Sequence, residues 1–157
     1  MAVTLIRHVG ASPRALWEAV TDFVAHAEAV PLTTIHPEPG PPAPGWRFTA
    51  RTALGPVGFD DPMRLTRWAP PGSDPDEPDS GSFEVVKEGR MLGGWASVRV
   101  GPGTSERTSR LEWREEIWLA PLPALTRPRP LRRLADLATA RLFDRAIDRF
   151  SAAARAR

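Results

Sequence analysis

The stretch "RLEWREEIWL", Arg110–Leu119, decides how this chain folds. Read with a period of two, Leu111, Trp113, Glu115, Ile117 and Leu119 share one face, and Arg110, Glu112, Arg114, Glu116 and Trp118 share the other. The first face is apolar except for Glu115 at its centre. Such alternation predicts a half-buried β-strand. It also puts a carboxylate on the buried side, where a charge must be paired, protonated or wetted.

The same period extends back from this strand. "GPGTSERTS" (101–109) predicts a hairpin turn. In "RMLGGWASVRV" (90–100), Ala96, Val98 and Val100 face in, Ser97 and Arg99 face out, and Trp95 falls on the outward parity. "FEVVKEG" (83–89) reads as another strand, whereas the Pro-, Asp- and Ser-rich "APPGSDPDEPDSGS" (69–82) predicts a mobile loop. In "VGFDDPMRLTRW" (57–68), Val57, Phe59, Asp61, Met63 and Leu65 share a face, and Pro62 predicts an edge or a bulge. "WRFTART" (46–52) aligns Trp46, Phe48 and Ala50; "HPEPGPPAPG" (36–45) reads as loop.

At the start, "VTLIRHV" (3–9) predicts a strand. "GASPRALWEAV" (10–20) then changes period: Ser12 can cap, Pro13 suits the first helical position, and Leu16, Trp17 and Val20 form the apolar stripe. A second short helix is expected from Phe23 to Val30, stopping before Pro31. At the other end, "APLPALTRPRP" (120–130) is a connector, and a long helix is expected from Leu131 to Ala154. There Leu142, Phe143, Ala146, Ile147 and Phe150 fill one arc, opposite Arg141, Asp144, Arg145, Asp148 and Arg149.

Composition narrows the function classes. A chain of 157 residues, 41% hydrophobic and 25% charged, fits a single soluble domain, 1–157. No run is long enough to span a bilayer, and "MAVTLIRHVGAS" has no signal-peptide pattern, so a cytoplasmic protein without integral membrane association is expected. The pI near 10.3 reflects a chain with no Tyr, no Cys and one Lys (Lys87), because the net charge is only +2. The basic residues lack an aromatic-interleaved patch, so nucleic acid is not the expected partner. Zero Cys excludes disulfides, zinc–thiolate sites and thiol nucleophiles. His8, His26 and His36 are isolated, so no metal site and no cofactor are expected. Scarce Lys beside abundant Arg, Ala, Pro and Gly points to a GC-rich bacterial genome.

The predicted order is strand, two short helices, a run of antiparallel strands and one long helix: an α+β fold. A helix of roughly 24 residues is about 36 Å long, and a sheet of six to seven strands is about 30 Å across. One helix can therefore lie across such a sheet, and a curved sheet gripping it encloses a cavity. With that order, "SPRALWEAVTDF", "GFDDPMRLTRWAPP" and "LEWREEI" resemble the SRPBCC superfamily (START-like, polyketide cyclase/dehydrase-like) over nearly the whole chain. The resemblance implies a helix-grip fold with the first and last strands adjacent and a hydrophobic cavity. Members of that superfamily include lipid carriers, aromatase/cyclases, quinone-binding chaperones and pollen-allergen-like proteins. They share no catalytic motif, so no catalytic residue is carried over.

The candidate ligand-binding residues are Trp46, Phe48, Phe59, Met63, Trp113, Glu115, Phe143 and Ile147; Trp95 is a further aromatic on the less favourable parity. Arg7 shares the parity of Val3, Leu5 and Val9, on the strand that the resemblance places beside Glu115, so an Arg7–Glu115 ion pair is the ordinary reading of that carboxylate. A ligand-orienting contact and general acid/base catalysis by Glu115 or Asp61 remain open beside it. For Asp60 and Asp61, turn and bulge chemistry before Pro62 is the ordinary reading. The leading functional expectation is binding of a small hydrophobic molecule, such as a lipid, polyketide or isoprenoid, between the sheet and the last helix. The alternatives are a polyketide cyclase or dehydratase using an inward carboxylate, and a protein-interaction module with a collapsed cavity. Oligomeric state is not readable from these residues.

Overall fold

The computed structural model describes residues 2–25, 27, 32–105, 107–119, 148–149 and 151–156. Its elements are β1 (Val3–Val9), α1 (Pro13–Thr21), β2 (Thr33–Pro37), β3 (Arg47–Leu54), β4 (Val57–Ala69), β5 (Gly81–Glu88), β6 (Leu92–Pro102) and β7 (Ser109–Leu119). The strands form one seven-stranded sheet in the order β1-β7-β6-β5-β4-β3-β2. Every pairing is antiparallel, and the first strand lies beside the last. Residues 148–149 and 151–155 are helical, and Ala154 is buried in the core. The rest of the expected C-terminal helix, with Phe143 and Ile147, lies outside the described residues, as do His26 and residues 28–30 of the second short helix.

Local chemistry explains the start of the chain. The Ser12 hydroxyl accepts a hydrogen bond from the Ala15 N–H at 3.2 Å, and Pro13 occupies the first turn, where no N–H partner is needed. Leu16, Trp17, Ala19 and Val20 then face the sheet, and α1 packs on β6 and β7. Gly81 lies under the Trp17 indole: a Cβ at that position would come within 2.5 Å of the ring.

The sheet face under α1 is the inner face. It carries Val9, Leu111, Val98, Val100, Phe83, Leu65, Phe48 and Trp46, all buried. Phe23 joins this layer, stacking on Phe48 with centroids 4.8 Å apart and meeting Phe83 edge-on at 5.5 Å. Phe83 in turn meets Trp113 edge-on at 6.5 Å.

One local reading is corrected and two are sharpened. The loop predicted from His36 begins inside a strand, because Thr33–Pro37 pairs with β3 and forms the sheet edge; five residues with a terminal Pro give too short an alternation to see. Of the two readings of Pro62, the edge holds and the bulge does not: it sits opposite Thr49, just before the first residue paired to β5, where its missing N–H breaks no ladder on that side. The irregularity falls between Leu65 and Arg67, and it returns Trp68 to the inner face opposite Phe83. The loop expected between β4 and β5 is a chain of turns, with Gly72, Ser73, Glu77 and Ser80 N–H groups donating to Pro78, Pro70, Asp74 and Glu77 carbonyls and Glu77 paired to Arg99.

Candidate functional site

Cross-strand register sets the inner face row by row. One row runs Ile117, Gly94, Lys87, Met63 and Phe48; the next runs Glu115, Ala96, Val85 and Leu65. Asp61 lies opposite Ala50, two residues along β4 from Met63. Three ionisable groups from β4, β5 and β7 thus share a largely apolar and aromatic face.

Two of them form an ion pair. The Lys87 Nζ donates to Asp61 Oδ2 at 2.7 Å and lies 3.7 Å from the Met63 sulfur. Both side chains are nearly sealed, at 9% and 6% exposure. The other oxygen, Asp61 Oδ1, is buried with no hydrogen-bond partner among the described residues. It lies against Gly89, where a Cβ would stand 3.0 Å from it.

The third group behaves differently. Glu115 is 6% exposed, and its Oε2 accepts from the Trp113 indole N–H at 3.0 Å. Burial pushes its carboxyl up from an ordinary 4.5 to about 7; the Lys87 charge and the indole hydrogen bond oppose that rise, and the Asp61 charge adds to it. Loss of hydration is the main reason, and the Asp61 charge is the smallest of these contributions.

The expected Arg7–Glu115 pair is not formed. β1 does run beside β7, and both residues face in, but the register sets Arg7 opposite Leu111 and Glu115 opposite Val3. Four residues along a strand is about 13 Å, beyond a direct contact. Parity was sufficient for the face and said nothing about the register.

Among the other sequence candidates, Trp46, Phe48 and Trp113 are buried on the inner face and Met63 and Phe59 are partly buried there. Trp95 lies opposite Glu116 and Val86 on the outer face and leaves the set. Asp60 points outward and pairs with Arg51. His8 and His36 are exposed, and no group of three metal-ligating side chains occurs among the described residues. Sequence reasoning missed Lys87 as a site residue. Its signal was available: Lys87 shares the parity of Phe83 and Val85 and is the only lysine in the chain.

No helix among the described residues is long and apolar enough to cross a membrane. No family model matches the chain, and no curated protein matches it at a significant level. Solved structures do match. The Zhui aromatase/cyclase of a Streptomyces species superposes with a TM-score of 0.68 at 11% identity, over 99% of this chain and 93% of that one. A START superfamily protein from Mycobacterium smegmatis gives 0.66 at 13% identity, over 93% of both chains. A hypothetical protein from Helicobacter pylori gives 0.68 at 15% identity, over 97% of this chain and 86% of that one. Identities this low speak for architecture alone: the strand order, the adjacent first and last strands and these superpositions show that the chain shares the fold of these structures, an aromatase/cyclase and a START superfamily protein among them.

Proposed function

We propose that the chain binds a small, largely apolar molecule, such as a lipid, polyketide or isoprenoid, against the inner face of the sheet, with the molecule's polar group directed at Lys87 and Glu115. The observation that carries this reading is the Asp61–Lys87–Glu115 cluster. A core built for stability alone gains little from three buried ionisable groups, since a well-packed apolar substitute is often equally stable or more so. A few polar groups set into an aromatic wall are the usual composition of a ligand site. The aromatase/cyclase among the structural neighbours supports the choice of ligand class. A cytoplasmic setting belongs to the same proposal.

The chain has six Trp and no Tyr, so its intrinsic fluorescence reports on Trp alone. An apolar ligand reaching Trp113 will quench or shift the emission saturably across a panel of fatty acids, quinones and aromatic polyketides, and Trp113→Phe will diminish the response. A flat response to the whole panel, with no ligand retained in native mass spectrometry of protein from its own host, sinks the proposal and favours a collapsed cavity.

A second reading, a cyclase or dehydratase using an inward carboxylate, is favoured by one specific observation. A Glu115 carboxyl titrating at about 7 can give and take a proton near neutrality. In that case Glu115→Gln abolishes turnover of a bound polyketide while the fluorescence response to it persists; turnover unchanged in the variant removes Glu115 from the chemistry.

A further inference from the structure

We propose that Lys87 is a carbonyl-capturing amine, and that this chain takes apolar aldehydes or ketones and holds them as an imine on the Lys87 Nζ. The inference rests on the inner face being the ligand site. It adds to that reading a covalent chemistry and a substrate class.

The choice of residue comes first. The chain has twenty arginines and a single lysine, and that lysine is buried on the inner face. Pairing with a carboxylate does not call for lysine. Arginine does that elsewhere in this sheet, at Arg51–Asp60 and Arg64–Glu88, and its planar fork suits the task better. What lysine has and arginine lacks is an amine that can lose a proton and attack an electrophilic carbon.

The surroundings supply the rest of the chemistry. The cross-strand neighbour of Lys87 on β6 is Gly94, which has no side chain to cover that flank. Gly94 is at φ +150, and a Cβ there would strike the Glu116 carbonyl oxygen, so no other residue fits. Asp61 Oδ2, 2.7 Å from Nζ, is in place to accept the ammonium proton. Glu115, whose carboxyl keeps its proton to about pH 7, is a donor acting close enough to feel the Lys87 charge.

The step balances. The ammonium passes one proton to Asp61, and the amine nitrogen attacks the carbonyl carbon. Nitrogen then gives a proton to the former carbonyl oxygen, forming a carbinolamine. Glu115 protonates the hydroxyl, which leaves as water as the nitrogen lone pair closes the C=N bond. The products are a protonated imine on Lys87, a neutral Asp61 and an ionised Glu115. The net charge of the cluster is zero before and after, and no oxidant or reductant is consumed.

The single lysine makes the test clean, because the free α-amino group serves as an internal standard for unassisted reaction. Full-length protein is mixed with decanal or naphthaldehyde, the imine is reduced with cyanoborohydride, and adducts are mapped by mass spectrometry. The expected product is one adduct on Lys87, of the mass of the aldehyde less one oxygen. It forms faster than the α-amino adduct on the order of tenfold or more. Glu115→Gln slows it on the order of a hundredfold, and Lys87→Arg abolishes it. Labelling confined to the α-amino group, in protein whose fluorescence still shows saturable binding of the same aldehyde, overturns the imine and leaves the binding reading standing. If the aldehydes neither bind nor label while fatty acids bind, the imine also falls. The wild-type map alone decides the matter, so the result does not depend on either variant folding.

Discussion

Asp60 and Asp61 are neighbours in β4, and each makes one short ion pair: Asp60 with Arg51 at 2.8 Å, Asp61 with Lys87 at 2.7 Å. By distance the two pairs are the same. By surroundings they are opposites, because consecutive residues of a strand point to opposite faces. Asp60 and Arg51 are 55% and 46% exposed, while Asp61 and Lys87 are almost completely enclosed. In water the charges of the outer pair lose little on separation, and long side chains must be ordered to form it. Inside, each charge has given up its hydration, so neither tolerates the loss of the other. Burial, not separation, decides what an ion pair does for this protein.

The largest expected effect is at the inner pair. Lys87→Met leaves Asp61 as an unpaired buried charge and lowers unfolding stability by about 3–5 kcal/mol, read from urea denaturation at neutral pH. Adding Asp61→Leu recovers much of that loss. A single Lys87→Met variant as stable as the parent breaks the contrast between the two faces.

The next effect is a pH dependence. Glu115 has a folded value of about 7 against an ordinary 4.5, so the folded state binds the proton more tightly than the unfolded state does. Its contribution is fully present below about pH 4.5 and is lost as pH rises to about 7, a change on the order of 3 kcal/mol. Glu115→Gln removes this slope and leaves the other titrations in place. A stability profile in the variant that keeps the parent's decline over that window assigns it to another group.

The smallest effect is outside. Arg51→Ala changes stability by about 0–1 kcal/mol, less at high salt. A loss as large as that of Lys87→Met places Arg51 in a role beyond its pair with Asp60.

The contrast also shows how far the sequence could be read. Alternation in "RLEWREEIWL" placed Glu115 inward, alternation in "VGFDDPMRLTRW" separated Asp61 from Asp60, and Ser12-Pro13 marked the start of α1. These are local facts, set by a period of two or by a cap within one turn. Lys87 was legible in the same way, by parity and by its uniqueness, yet a lone lysine in a strand reads first as a solvated charge. Trp68 was not legible, because a bulge two residues earlier reverses its parity, and bulges carry no marker in these side chains.

What the sequence determined by itself, then, is the order of β1, α1 and the strands β3 to β7, the inner or outer side of most of their residues, and the presence of carboxylates on a buried face. What only the tertiary structure decided is who meets whom. Arg7 and Glu115 lie on adjacent strands and the same face, and a register that sets Glu115 opposite Val3 keeps them apart. Lys87 and Asp61 come from strands with an acidic loop between them and meet because Met63 pairs with Lys87. The raised proton affinity of Glu115 follows from its burial, which the neighbouring Lys87 charge only partly offsets. Register depends on the turns and bulges of every strand in the sheet together, so no single stretch of sequence holds it.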